Sequence, residues 1–205
     1  MKMRPILGLA LCACALTALA GPARALEPPL RKNWTLGIGF GMGSARIDQS
    51  DGGTFEASDG VSPRIVFQRK VSERWRAGLL WEAWLTERGD GETRIRRSMQ
   101  TLTAAATFIP GNLNNAWAGL YVRGGAGIAI GRYSTADQDE HGEDINNVAT
   151  DHSGFGANIG AGYDFHISRG FSAGTLASYD YASYDGPVFD NGWYRQVCLT
   201  FTWTY

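Results

Sequence analysis

Two short pairs in this chain carry the residue types of nucleophilic catalysis. His166-Ile167-Ser168 sets an imidazole two residues from a hydroxyl, and His152-Ser153 sets the two side by side. A serine becomes a nucleophile only with a base within hydrogen-bond reach, so local structure decides whether either pair can act. The run Asp137-Gln138-Asp139-Glu140-His141-Gly142 opens like a calcium loop. Its twelfth position is Val148 rather than Glu, and His141 stands where an oxygen ligand belongs. A solvated acidic loop is the simpler reading, and no metal or cofactor is expected. A third set is Arg88, Arg94, Arg96, Arg97, Arg132 and Arg195. Guanidinium groups grip phosphate through paired N–H bonds, so anion recognition is the chemistry these offer.

The elements that must position these residues are strands. From Val197 to Tyr205 the odd positions are Val197, Leu199, Phe201, Trp203 and Tyr205, and the even ones are Cys198, Thr200, Thr202 and Thr204. A strand turns successive side chains to opposite faces, so this is a ribbon with one apolar face and one small, mostly polar face. The same period recurs upstream. Trp34, Leu36, Ile38, Phe40 and Met42 oppose Thr35 and four glycines over 34–43. Further strands are predicted over 61–70, 75–85, 94–108, 117–132, 154–165, 171–181 and 193–205, with 94–108 weakly patterned. Glycines on one face weaken an ordinary sheet but leave room for large side chains inside a narrow barrel.

The connections alternate in length. Segments 44–60, 86–93, 133–153 and 182–192 are long or polar; 71–74, 109–116 and 166–170 are short or turn-like. An even strand number with alternating short turns and longer loops is the pattern of a transmembrane β-barrel, and 10–13-residue strands reach across a bilayer. Aromatic residues gather at the short-turn ends (Trp34, Trp75, Phe108, Trp117, Phe165, Phe171, Trp203, Tyr205). A looser set lies at the long-loop ends (Trp84, Tyr133, Phe155, Tyr181, Tyr184, Trp193), which together predict two interfacial belts. The fold expected is an all-β, eight-stranded antiparallel up-and-down barrel. A soluble lipocalin-like barrel is the competing fold, with the two faces exchanged.

Residues 1–25 read as an export signal: Lys2 and Arg4, then an apolar run from Ile6 to Leu19, then Ala23-Arg24-Ala25. Cleavage is expected after Ala25, with Ala20 as the alternative, leaving 26–205 as one domain. Loss of Lys2, Arg4 and Arg24 takes the formal charge from −1 to −4, which excludes a nucleic-acid partner. Cys12 and Cys14 leave with the signal. Cys198 then stands alone, and no internal disulfide forms.

The chain resembles the small eight-stranded outer-membrane barrels of the OmpA, OmpX and OmpW kind, often grouped as porin-family barrel domains. Gly154-Phe155-Gly156, Gly160-Ala161-Gly162-Tyr163-Asp164-Phe165 and the closing Leu199-Thr200-Phe201-Thr202-Trp203-Thr204-Tyr205 carry the resemblance. It implies an integral, monomeric outer-membrane protein in contact with lipid and lipopolysaccharide, addressed to the barrel-assembly machinery by Val197, Leu199, Phe201, Trp203 and Tyr205. Some barrels of this size are lipid A deacylases with a His-x-Ser pair on the outer-leaflet side. Here His166-Ile167-Ser168 has the spacing but falls in a short turn, and His152-Ser153 has the position but not the spacing. No catalysis is expected.

With the apolar face outward, Arg64, Gln68, Arg76, Glu82, Arg123, Asn158, Asp164 and Asp180 point into the bore. Buried charges must be paired, so a salt-bridged plug is the first expectation and a gated, minor conductance the second. The six arginines fall near long-loop ends, where lipopolysaccharide phosphates would lie.

Overall fold

The computed structural model describes residues 33–89, 93–111, 119–138, 144–185 and 189–205. The signal segment, Trp117 and most of the acidic run (139–143) lie outside them, as do the side chains of 138 and 144–147. The chain forms β1 (Trp34–Gln49), β2 (Thr54–Lys70), β3 (Trp75–Gly89), β4 (Thr93–Phe108), β5 (Leu120–Gln138), β6 (Asp144–Ser168), β7 (Phe171–Tyr184) and β8 (Phe189–Thr204). Each pairs antiparallel with the next, and β8 returns to β1 to close the barrel. The seam runs from Thr35↔Thr204 to Gln49↔Phe189, and reciprocal bonds Trp34 N→Tyr205 O (3.0 Å) and Tyr205 N→Trp34 O (3.1 Å) lock its end. A closed ladder satisfies the backbone without water, which is what lets strands cross a bilayer.

The faces divide as alternation predicts. Phe40, Leu79, Ile128, Ile159 and Leu199 stand outside, each more than half exposed. Thr35, Ser62, Gln68, Thr101, Thr103, Thr107 and Thr200 are buried within. A lipocalin-like barrel would show the reverse. At the short-turn end the outer wall is ringed by aromatic pairs: Trp34–Phe67 stacked at 4.9 Å, and Trp75–Phe108 at 4.9 Å and Phe171–Trp203 at 5.2 Å between ring centroids, both tilted.

Several expectations need correction. The strands run beyond the stretches read as loops: 44–49, 54–60 and most of 133–153 are ladder. β6 has 25 residues, more than twice the roughly 9–11 that a bilayer crossing needs. β2 hides its outer half behind a bulge. Gly43 pairs with Gly60 but Ala45 with Ala57, so one extra residue of β2 reverses its inward parity. β8 begins at Phe189 rather than Trp193. Trp84 and Tyr184, placed in the outer belt by type, lie inside the barrel at 0% and 6% exposure.

Candidate functional site

The bore has three levels, each built by strand parity. The middle level holds charge. Arg64 and Glu82 are register partners on β2 and β3, and their ion pair measures 3.4 Å with side chains 2% and 1% exposed. Glu82 Oε1 also accepts from Gln196 Nε2 at 3.1 Å and Ser178 Oγ at 3.5 Å. The same two donors reach Asp180 Oδ2, each at 3.3 Å. Gln196 therefore ties two carboxylates from β3 and β7 to β8. Its own Oε1 accepts from the Cys198 thiol at 3.2 Å, so this cysteine, alone among the described residues, packs as a small polar link.

Room for Arg64 comes from β1. A Cβ built on Gly39 would stand 2.7 Å from both Cγ and Cδ of Arg64, so the missing side chain is the slot that the arginine stem fills.

Toward the long-loop end the bore turns apolar. Ala45, Ile47, Trp84, Met99, Ala129, Phe189 and Tyr194 form one buried cluster, with Phe55 and Tyr133 packed against it. Trp84 crosses the bore to donate from Nε1 to Gly43 O at 3.2 Å, in space that a Cβ on Gly60 would occupy. The plug is thus apolar above and ionic at the centre, rather than salt-bridged throughout. Residue types misled here, because an aromatic suits a membrane belt and a filled bore equally well.

Toward the short-turn end the bore is a polar cup. Thr107 Oγ1 donates to Gln68 Oε1 at 2.9 Å and accepts from Arg123 Nε at 2.9 Å. Arg76 donates to Thr35 Oγ1 at 2.7 Å, and Thr200 Oγ1 donates to Asp164 Oδ1 at 3.3 Å. Asn158 bonds Thr103 Oγ1 at 2.8 Å just above. Of the residues expected in the bore, Arg64, Gln68, Glu82, Arg123, Asn158 and Asp180 are buried on its inner face and Arg76 and Asp164 are half-buried there; Arg64 and Glu82 are joined as an ion pair.

The arginine set divides by face. Arg94, Arg96, Arg132 and Arg195 are on the outer wall; Arg97 shares the inward parity of Thr101 and Thr103. Its guanidinium stacks 3.8 Å from the Phe55 ring centroid and 5.2 Å from Tyr133, capping the apolar plug. Arg88 reaches the same Phe55 ring at 5.7 Å and pairs with Asp59 across the β2–β3 seam at 3.3 Å. On the outer wall Glu87 binds Arg94 at 3.0 Å and Arg96 at 2.8 Å, Asp151 binds Arg132 at 3.3 Å, and Arg195 donates to Ser44 at 2.8 Å. Arg96, Arg132, Ser98, Ser134 and Gln100 line one outward groove.

The two His–Ser pairs do not converge. His152 is buried against Phe189 at 5.4 Å, while its neighbour Ser153 is exposed on the opposite face. His166 pairs in register with Ser172 at the short-turn end, and the ladder shifts register before Ser168. Among the described residues no group of His, Cys, Asp and Glu is arranged to hold a metal ion.

No protein-family model and no curated protein matches the chain. Among solved structures it is similar to Neisserial surface protein A, with a TM-score of 0.55 at 11% identity, covering 84% of this chain and 97% of that one. It is also similar to Ail, the attachment invasion locus protein of Yersinia pestis, with a TM-score of 0.51 at 16% identity, covering 83% and 99%. The fold is therefore that of the small eight-stranded outer-membrane β-barrels.

Proposed function

We propose that the chain is an integral outer-membrane protein, exported by a signal peptide cleaved after Ala25. In this reading it is a monomeric, non-catalytic and non-conducting surface barrel. The C-terminal strand, with Val197, Leu199, Phe201, Trp203 and Tyr205 on its lipid face, addresses it to the assembly machinery. Its outer rim contacts lipopolysaccharide phosphates through Arg94, Arg96, Arg132 and Arg195.

The observation that carries the partner is the outward groove holding Arg96 and Arg132, 46% and 57% exposed, above a wall of apolar side chains. Their carboxylate partners are also about half exposed, so an incoming phosphate exchanges one partly hydrated anion for another of higher charge. Non-conduction follows from the bore, which is filled by ion pair and aromatic plug in series. The test is lipopolysaccharide binding to refolded protein in nanodiscs. The Arg96→Gln, Arg132→Gln double variant loses most of the affinity while keeping its fold; equal binding by both proteins defeats the proposal.

A further inference from the structure

The bore contains a buried cation, Arg123, whose nearest carboxylates, Asp164 and Glu82, stand beyond ion-pair contact. Arg64 has Glu82 at 3.4 Å. Arg123, only 9% exposed, has a hydroxyl and a ring: Nε donates to Thr107 Oγ1 at 2.9 Å, and the guanidinium stands 5.2 Å from the Tyr121 centroid. Among the described residues no carboxylate comes within the 4.0 Å of an ion pair with it. Asp164, the acid on the same level, accepts instead from Thr200 at 3.3 Å. A guanidinium taken out of bulk water without an anion is costly, so its surroundings should supply one.

The surroundings have space for it. Arg123 lines a cavity of about 80 Å³ that opens at the short-turn end, together with Arg76, Lys70, Glu73 and Asp164. Those side chains sum to one excess positive charge. At roughly 10–15 Å³ per water, the cavity takes several waters or one small polyatomic anion, and it is too small for a sugar. Two planar guanidiniums fit an oxyanion by paired N–H bonds, and Thr35, Thr107 and Tyr121 add hydroxyl groups at the wall.

We infer that this cup is a binding site for a small oxyanion, of the phosphate or carboxylate class, held between Arg123 and Arg76. The site lies on the opposite side of the ion-pair level from the lipopolysaccharide rim and does not depend on that reading.

The test follows the Arg123 Nε–H resonance of full-length barrel in detergent micelles during titration with sodium phosphate, sodium acetate and sodium chloride at matched ionic strength. Phosphate produces a saturable shift, acetate a weaker saturable one, and chloride none. If acetate binds more tightly than phosphate, the carboxylate branch of the class holds. Arg76→Gln weakens phosphate about tenfold, as loss of a charge-assisted hydrogen bond requires, and Arg76→Lys recovers part of that loss. Arg76 is half-buried at the open end, so these variants spare the folded core even if Arg123→Gln fails to fold. A non-saturating shift, an equal response to chloride, or an unchanged affinity in Arg76→Gln overturns the inference.

Discussion

Arg64 and Glu82 face each other across adjacent strands at the centre of the bore, 3.4 Å apart and together almost wholly removed from solvent. Breaking such a pair leaves an uncompensated buried charge, which costs about 3–5 kcal/mol. Glu82→Ala is therefore expected to lose stability on that scale in urea unfolding of vesicle-inserted protein. Replacing both partners, Arg64→Met with Glu82→Leu, recovers most of the loss. Equal stability of Glu82→Ala and parent would mean that the pair is solvated rather than buried.

The same substitution bears on conduction. Glu82→Ala removes the ionic level but leaves Trp84, Met99, Phe189 and Tyr194 packed beyond it. Planar-bilayer recordings should stay silent for the parent and for Glu82→Ala alike. Stepwise currents from Glu82→Ala alone would make the ion pair a gate.

Gly60 and Trp84 form a slot and its key. Trp84→Ala empties a fully buried indole site and is expected to cost roughly 3–5 kcal/mol. Gly60→Ala should cost a comparable amount, because its Cβ takes the indole's place and the bond from Trp84 Nε1 to Gly43 is lost. Gly52→Ala is the contrast. Nothing lies within 4 Å of the added carbon, and only its φ of 85° resists substitution, at about 1 kcal/mol. Unboiled mobility on detergent gels with increasing urea ranks the three.

These relationships explain what could be read in the sequence. β1 was legible over 34–43 and β8 over 197–205 because large apolar and small residues alternate there without interruption. β2 was legible only from Val61 onward: its bulge falls between Ala57 and Gly60 and swaps the faces, so Thr54-Phe55-Glu56-Ala57 looks like a polar loop. The outer part of the β5–β6 hairpin was lost for another reason. It extends past the length a bilayer crossing needs, where neither face has to be apolar, and the pattern disappears. The bore residues were readable from parity, but their partners were not, because a counter-charge several strands away leaves no mark on local spacing. Arg97 could have been placed inside by counting back from Thr103 and Thr101. Its company of other arginines pointed to the rim instead.

The rim should matter for binding more than for stability. Arg96 and Arg132 are about half exposed and sit in screened ion pairs, each worth about 0–1 kcal/mol. Arg96→Gln and Arg132→Gln are expected to unfold in urea within that margin of the parent. A loss above about 2 kcal/mol would make them structural parts of the wall, beyond what exposed pairs contribute.

Which face meets lipid is the claim on which the rest depends, and adjacent positions on β8 test it most directly. In a Cys198→Ser background, spin labels at Leu199 and at Thr200 report collision with oxygen, which concentrates in lipid, and with a water-soluble nickel chelate. Leu199 is 55% exposed on the outer wall and Thr200 is 6% exposed within. In proteoliposomes the label at Leu199 should collide freely with oxygen and rarely with nickel, while the label at Thr200 is shielded from both. Nickel access at Leu199 with shielding at Thr200 would make this a water-soluble barrel, and oxygen access at Thr200 instead would reverse its faces.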